Sequence, residues 1–91
     1  MLTLATEDEK GPYCCNLFYV YLPQRNWFVA TSAADTLHVR QATRNPRVAA
    51  SVVLETSVVG KVRGLQLRGT MARPEGEERR VARNAYLRRF P

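Results

Sequence analysis

Residues 27–38 read WFVATSAADTLH, and this stretch decides the fold because three kinds of local structure meet in it. Trp27 to Thr31 is aromatic and β-branched, which predicts a strand. Ser32 to Thr36 is small and polar, which predicts a loop followed by a helix to about Arg44. Asn45-Pro46 ends that helix, because the residue before a proline avoids the helical region.

Strand patterns lie on both sides of this stretch. We predict a short strand over 1–6, a turn over 7–12, one strand over 13–22 with both faces covered at least in part, and strands over 47–54 and 64–73. Gly69, inside the last of these, is typical of a bulge or a barrel bend. Residues 55–61 are either a loop or the start of the following strand.

A second helix closes the element order. Apolar residues recur at helical spacing and form one stripe, made of Val81, Ala82, Ala85, Tyr86 and Phe90. Glutamates at its start and arginines at its end suit the helix dipole. Short strands, tight turns and two helices predict a mainly β fold, an antiparallel Greek-key-like barrel with helices at its mouth or edge. We expect one domain over residues 1–91.

The chain has 14 Lys and Arg against 8 Asp and Glu, a net charge of +6, and the excess is concentrated in residues 79–89. A solvated face opposite the apolar stripe is the usual explanation for such a run. Nucleic-acid binding is the alternative, although the aromatic spacing of an RNA-recognition sheet, a helix-turn-helix and a zinc pattern are missing from the sequence. We therefore do not expect a nucleic-acid partner.

The sequence has no run of about 18–20 apolar residues that would cross a membrane, and its acidic start is unlike a signal peptide. We therefore expect a cytoplasmic protein. Cys14 and Cys15 are neighbours that point to opposite faces of a strand, and with one histidine they make no metal-ligand pattern. Two buried or half-buried small hydrophobes are the simple interpretation, and a redox role is the alternative.

Two places could bind a ligand. Hydroxyls, free backbone N–H groups and His38 at the start of the first helix suit a phosphate dianion. Alternatively, Asp35 or Thr36 merely caps the helix and His38 is exposed. Asn16, a buried amide on the second strand, would bond either to a ligand ring or to a neighbouring strand. The sequence contains no Ser–His–Asp set and no Gly-rich phosphate loop, so in an enzyme a cofactor would do the chemistry.

Several motifs carry a resemblance to a known family. The segment Phe28 to Ser32, Thr36-Leu37-His38 and Asn45-Pro46 resembles the flavin-phosphate segment of the pyridoxamine 5′-phosphate oxidase-like split barrels. Residues 16–19 (NLFY), 63–69 (RGLQLRG) and 82–91 (ARNAYLRRFP) are similar to the uncharacterised YhbP-like branch of that superfamily. Relatives begin with a further helix and continue with further strands, so we expect this chain to lack both.

The resemblance implies a six-stranded FMN-binding split barrel, a homodimer with cofactor sites between subunits, and a flavin-dependent oxidoreductase of unknown substrate. The cofactor-binding residues it implies are Asn16 and Leu17 near the isoalloxazine ring and, at the phosphate segment, Thr31, Ser32, Thr36, Leu37 and His38. Leu37-His38 replaces an Arg-Lys pair of the oxidases and Gly64 replaces a Gln, so pyridoxamine-phosphate oxidase activity is not expected. The alternative functions are a non-catalytic binding module for another phosphorylated ligand or haem, and a basic nucleic-acid-binding protein.

Overall fold

The computed structural model describes residues 1–54 and 63–91. Within them the chain forms six strands and two helices. They are β1 (Leu2–Asp8), β2 (Gly11–Leu17), β3 (Val20–Leu22), β4 (Trp27–Val29), α1 (Leu37–Arg44), β5 (Arg47–Leu54), β6 (Arg63–Thr70) and α2 (Gly76–Arg89). The predicted mainly β class with two helices is confirmed. The interpretation of residues 55–61 lies outside the described residues.

The strands form a four-stranded antiparallel sheet in the order β2-β1-β5-β6 and a separate ribbon of β3 and β4. Two hairpins, β1–β2 and β5–β6, therefore lie side by side, and the chain between them returns β5 to the free side of β1. Helix α1 is part of that return and packs against β1 and β2.

One face of the sheet carries the core. Leu2, Leu4 and Ala50 are buried at its centre, because alternate residues of a strand point to the same side. Half-buried apolar side chains pack around them from β2, the ribbon, β5, β6 and the residue after β6: Cys15, Leu17, Tyr19, Phe28, Val48, Val52, Leu67 and Met71. The alternation of Leu2 and Leu4 thus gives the correct inward face.

The other face of the sheet, which we call the open face, carries Thr3, Ala5, Asn16, Ala49, Ser51, Gln66 and Arg68. The central part of this surface is a shallow groove of about 580 Å³ lined mainly by small side chains of β1, β5 and β6. The side chains of β2 are mostly exposed or half-buried. The prediction that both faces of residues 13–22 are covered at least in part is therefore wrong for β2, whose open-face residues Cys14 and Asn16 are exposed.

Residues 13–22 also do not form one strand. Leu17 pairs with Leu2, so β1 has almost no residues left with which a longer β2 could pair. The chain leaves the sheet at Phe18 and Tyr19, and residues 20–22 pair with β4 instead. An apolar composition predicts a strand but does not say which sheet the strand joins.

Gly69 does not mark a bulge. The register between β5 and β6 runs without interruption from Arg47 opposite Thr70 to Leu54 opposite Arg63, with Gly69 opposite Val48. The second helix agrees with its prediction: Ala82 and Ala85 are buried, and the flanking stripe residues are half-buried. Neither helix of the described ranges is long and apolar enough to span a membrane.

Candidate functional site

The first helix begins in a tight local turn. Thr36 is the N-cap residue, but its side chain does not cap the helix. Instead both the Thr36 hydroxyl (2.8 Å) and the Thr36 backbone N–H (3.2 Å) donate to the carbonyl oxygen of Ala33. The first helical bond runs from Arg40 N–H to Thr36 O at 3.1 Å. The N–H groups of residues 37–39 therefore precede the helical ladder and are donors for an external group.

The only histidine of the chain lies in the first turn of α1 and is buried, with 8% of its surface exposed. Its Nε2 atom lies 2.7 Å from Ser32 Oγ and 3.5 Å from Thr36 Oγ1. We call these three residues the hydroxyl–imidazole cluster. The structure brings together three of the side chains that the sequence singled out, and the alternative of an exposed His38 is wrong.

The cluster has the composition of an anion site. Ser32, Thr36 and His38 carry hydrogen-bond donors, of which the Thr36 hydroxyl already donates to Ala33 O, and the positive end of the helix dipole lies beside them. The first turn of α1 contains no acidic residue. Exposed Asp35 lies one residue before the N-cap, and exposed Arg40 lies within the first turn and a half. A phosphate group is therefore chemically compatible with this cluster, although the negative charge of Asp35 would repel it.

Sequence reasoning missed Gln41, which attaches α1 to the sheet. This side chain is 4% exposed. Its Oε1 accepts from the hydroxyl of buried Thr6 at 2.5 Å, and its Nε2 donates to Asp8 Oδ1 and to Gly11 O, each at 3.3 Å. The contacts join the helix to both strands of the β1–β2 hairpin and thereby fix the position of His38, one turn earlier.

A second attachment is ionic. Arg44 lies 3.8 Å from Asp8 and 3.2 Å from Glu9, and the Asp8 side chain is only 5% exposed. Asp8 also accepts a hydrogen bond from the backbone N–H of Lys10 at 2.9 Å. The signal for these contacts was the spacing of His38, Gln41 and Ala42, which lie on one face of α1 and are its buried residues.

The remaining predicted site residues take no part in the contacts of the cluster. Asn16 is exposed on the open face, where its Oδ1 accepts from the Thr3 hydroxyl at 2.7 Å, so the prediction of a buried amide is wrong. The Leu17 side chain points to the opposite side and packs against the core. Thr31 is exposed just after β4, and Leu37, the first residue of α1, is 40% exposed.

The two cysteines are free thiols with different surroundings. Cys14 is exposed on the open side of β2, which corrects the interpretation of both as buried or half-buried. Cys15 is half-buried on the core side. Burial, and secondly the neighbouring Cys14, raise the pKa of the Cys15 thiol. Cys15 is therefore the less reactive of the pair, because the thiolate is the nucleophile.

No protein-family model matches the sequence. Curated proteins do, over all 91 residues. The chain is 34% identical to a UPF0306 protein of Citrobacter koseri, 35% identical to UPF0306 protein YhbP of Escherichia fergusonii, and 34% identical to UPF0306 protein plu4501 of Photorhabdus laumondii. The chain is a homologue of the UPF0306 proteins. It spans 62%, 62% and 64% of the length of these three relatives.

A solved structure also matches this UPF0306 homologue. A haem-binding protein from Mycobacterium smegmatis superposes with a TM-score of 0.80 and 28% sequence identity, over 92% of this chain and 35% of that one. The match confirms the predicted antiparallel split-barrel fold, and the curated relatives confirm the predicted YhbP-like resemblance.

Proposed function

We propose that this UPF0306 homologue binds FMN, and that the hydroxyl–imidazole cluster holds its phosphate. The observation that carries the proposal is the 2.7 Å contact between the buried His38 Nε2 and Ser32 Oγ beside Thr36 Oγ1, directly before the free N–H groups of α1. The N–H groups of α1 and one donor of the Ser32–His38 pair can donate to a phosphate, and the Thr36 hydroxyl can do so by giving up its bond to Ala33 O. The split-barrel fold supports the same conclusion, because flavin binding is a property that the family resemblance implies.

The isoalloxazine ring would lie away from the cluster. FMN is an extended molecule whose ribityl chain separates the phosphate from the ring. Asn16 is the amide that could meet ring carbonyls, and its side chain bonds only to Thr3 within the described residues. Leu17 would take part through its backbone, because its side chain is committed to the core. When bound, FMN would supply the redox chemistry, and the protein groups named here would bind and orient it.

A titration with FMN and with riboflavin tests this proposal. The two flavins differ by the phosphate alone, so FMN should bind more tightly. Replacing Ser32 by alanine should weaken FMN binding about 10- to 100-fold, since a hydrogen bond to a charged group contributes about 1.5–3 kcal/mol. Riboflavin binding should not change. Exposed Thr43, whose hydroxyl bonds to Val39 O on the same helix, gives the matched control Thr43→Ala.

Two outcomes would contradict the proposal. Equal affinity for FMN and riboflavin would mean that the phosphate contributes nothing to the free energy of binding. Absence of any quenching of flavin fluorescence at a protein concentration of about 100 μM would reject flavin binding at any useful affinity.

Haem is the second candidate, supported by the solved haem-binding protein with a TM-score of 0.80. His38 would be the histidine available as an axial ligand, and its Nε2 would first have to leave Ser32. A Soret band that shifts on adding haemin and is lost in His38→Gln would favour haem over FMN. If haemin and FMN displace each other from the protein, both ligands bind to the same region.

We extend the proposal to a homodimer in which a second copy covers the open face. Support comes from Val53, which projects from this side of β5 and is 60% exposed, and from the two sheet edges that β2 and β6 leave among the described strands. Sedimentation equilibrium should give twice the monomer mass of 10.3 kDa. Val53→Asp should shift it to the monomer.

A further inference from the structure

The contact between Ser32 and His38 has the geometry of a nucleophile and its general base. Ser32 Oγ lies 2.7 Å from His38 Nε2, which is direct hydrogen-bond distance. A serine hydroxyl at this distance from an imidazole nitrogen can pass its proton to the ring while its oxygen attacks an electrophile. Ser32 is exposed in the loop before α1, whereas His38 is buried. The nucleophilic oxygen is therefore accessible, and its base is shielded from water.

The groups around the pair favour this proton transfer. Thr36 Oγ1 lies 3.5 Å from the same Nε2 atom, but its hydroxyl donates to Ala33 O and so does not compete for the nitrogen. When the ring carries its proton on Nδ1, the Ser32 hydroxyl is the donor to Nε2. The free N–H groups of residues 37–39 follow Thr36 directly and would stabilise the negative oxygen that forms when an acyl group is attacked.

The surroundings of the pair also limit the class of substrate. Among the described residues the ring bonds to Ser32 and Thr36, and neither partner is a carboxylate. Removing the carboxylate function of a Ser–His–Asp triad lowers kcat by about 10⁴, so a pair without one suits substrates whose leaving group departs with little help from an acid. Aryl esters and thioesters are such substrates. Residues 33–35 beside Ser32 are all exposed, so the loop encloses no pocket for a long acyl chain and suits a short one.

We propose that Ser32 and His38 form a catalytic dyad that hydrolyses aryl esters and thioesters of short-chain acids. Ser32 Oγ forms a bond to the acyl carbon while its proton moves to His38 Nε2. The bond from the acyl carbon to the leaving oxygen or sulfur then breaks, and the leaving group takes the electron pair and the Nε2 proton. Water next attacks the acyl-serine and gives its proton to Nε2. The bond to Ser32 Oγ breaks, Ser32 takes the proton back, and the free acid is released.

This activity does not depend on FMN binding, although both proposals use the hydroxyl–imidazole cluster. A phosphate held at the cluster would occupy the place of the acyl group, so FMN should inhibit the reaction if it binds there. Reaction at Ser32 in a protein that binds no flavin would support the dyad and reject only the flavin proposal. Flavin binding without reaction at Ser32 would overturn the dyad and leave the flavin proposal intact.

The test is the reaction of the purified chain with p-nitrophenyl acetate and with a fluorophosphonate, each followed by peptide mass spectrometry. The fluorophosphonate should modify Ser32, which is the one serine of the tryptic peptide 26–40. p-Nitrophenyl acetate should give a burst of p-nitrophenolate and leave an acetyl group on Ser32. Peptide mapping separates this product from acetylation of exposed Cys14, whose free thiol is a competing nucleophile.

Three variants separate the dyad from general reactivity. Ser32→Ala should abolish the modification of peptide 26–40, and it changes an exposed loop residue that the fold does not need. His38→Gln should slow acylation of Ser32 about 10²- to 10⁴-fold, the usual contribution of a general base. The control Ser51→Ala removes a serine hydroxyl from the open face of β5 and should leave the rate unchanged. Circular dichroism and urea unfolding establish that each variant folds.

Three results would overturn the proposal. One is an unmodified Ser32 after prolonged exposure to excess fluorophosphonate. Another is release of p-nitrophenolate by Ser32→Ala at the rate of the unchanged protein, which would assign the reaction to other nucleophiles. The third is acylation of Ser32 at an undiminished rate in folded His38→Gln, which would mean that the imidazole does not act as a base.

Discussion

Replacing Gln41 by leucine tests whether hydrogen bonds hold α1 against the β1–β2 hairpin. The substitution keeps the side chain at similar size and removes contacts to Thr6, Asp8 and Gly11. The Thr6 residue is only 2% exposed, so its hydroxyl loses its partner in a site that water does not reach freely. The free energy of unfolding loses about 1 kcal/mol for the 2.5 Å bond to Thr6, less for the two 3.3 Å bonds, and about 1–3 kcal/mol for the buried hydroxyl that has no partner. The burial of the apolar leucine side chain partly offsets these losses. We expect the free energy of unfolding to fall by about 2–4 kcal/mol.

The double variant Thr6→Val/Gln41→Leu gives the sharper result. Thr6→Val alone should lower the free energy of unfolding by about 1–2 kcal/mol, because it leaves Gln41 Oε1 without its donor. Replacing both partners by apolar groups leaves neither half of the bond unsatisfied. The double variant should therefore lose less free energy of unfolding than the two single variants lose together, and the difference, the coupling energy, should be about 1–2 kcal/mol.

Urea unfolding followed by circular dichroism measures these free energies. Thr43→Val is the control on the same helix, because the Thr43 hydroxyl is exposed and bonds only within α1, and its effect should stay within about 0.5 kcal/mol. Additivity of the Thr6 and Gln41 effects to within about 0.5 kcal/mol would refute a direct bond between them.

Three further predictions concern residues outside this contact. Iodoacetamide at pH 8 should modify exposed Cys14 faster than Cys15, whose pKa is raised by burial; equal rates by peptide mass spectrometry would contradict this. Gly69→Ala should leave stability unchanged or raise it slightly, whereas Gly64→Ala should lower the urea midpoint, because a Cβ would lie 3.1 Å from Val52 O at Gly64 and meet nothing within 4 Å at Gly69. Hydrogen bonding by the Arg80 guanidinium lowers the pKa of the Glu77 carboxyl. This pair therefore stabilises the chain above the ordinary carboxyl pKa and loses this effect as the pH falls through the lowered value, so Glu77→Gln should reduce the drop in the urea midpoint between pH 6 and pH 3. An identical drop in both proteins would mean that the pair has no effect on stability.

The local sequence predicted those features whose causes are local. Asn45 is the C-cap residue that follows α1, and its side chain accepts from the Arg47 N–H at 3.2 Å, a short-range interaction that Asn-Pro favours. Alternation in β1 gave the inward positions of Leu2 and Leu4 because a strand has a period of two. The stripe of α2 was predictable for the same reason, with the helical period.

Tertiary structure alone decided the features that depend on distant partners. Residues 13–22 divide between two sheets because β1 begins at Leu2 and offers no further pairing beyond Leu17. Asn16 faces outward because the register places it opposite Thr3, and no property of its neighbours in sequence specifies that side. Gln41 is buried because Thr6 and Gly11, more than 29 positions away, present their polar groups to it.

The stretch at residues 27–38 divides in the same way. Its sequence by itself predicted a strand, a small-residue loop and a helix with Asp35 or Thr36 as the N-cap, because turn and capping preferences act over a few residues. The structure selects Thr36 and begins the helix at Leu37. Only the tertiary structure decided that the loop folds back so that Ser32 meets His38 and that the imidazole is buried. Burial of a polar ring depends on residues from other elements, and the position of α1 that buries this ring is held by the contacts of Gln41 with Thr6 and Asp8.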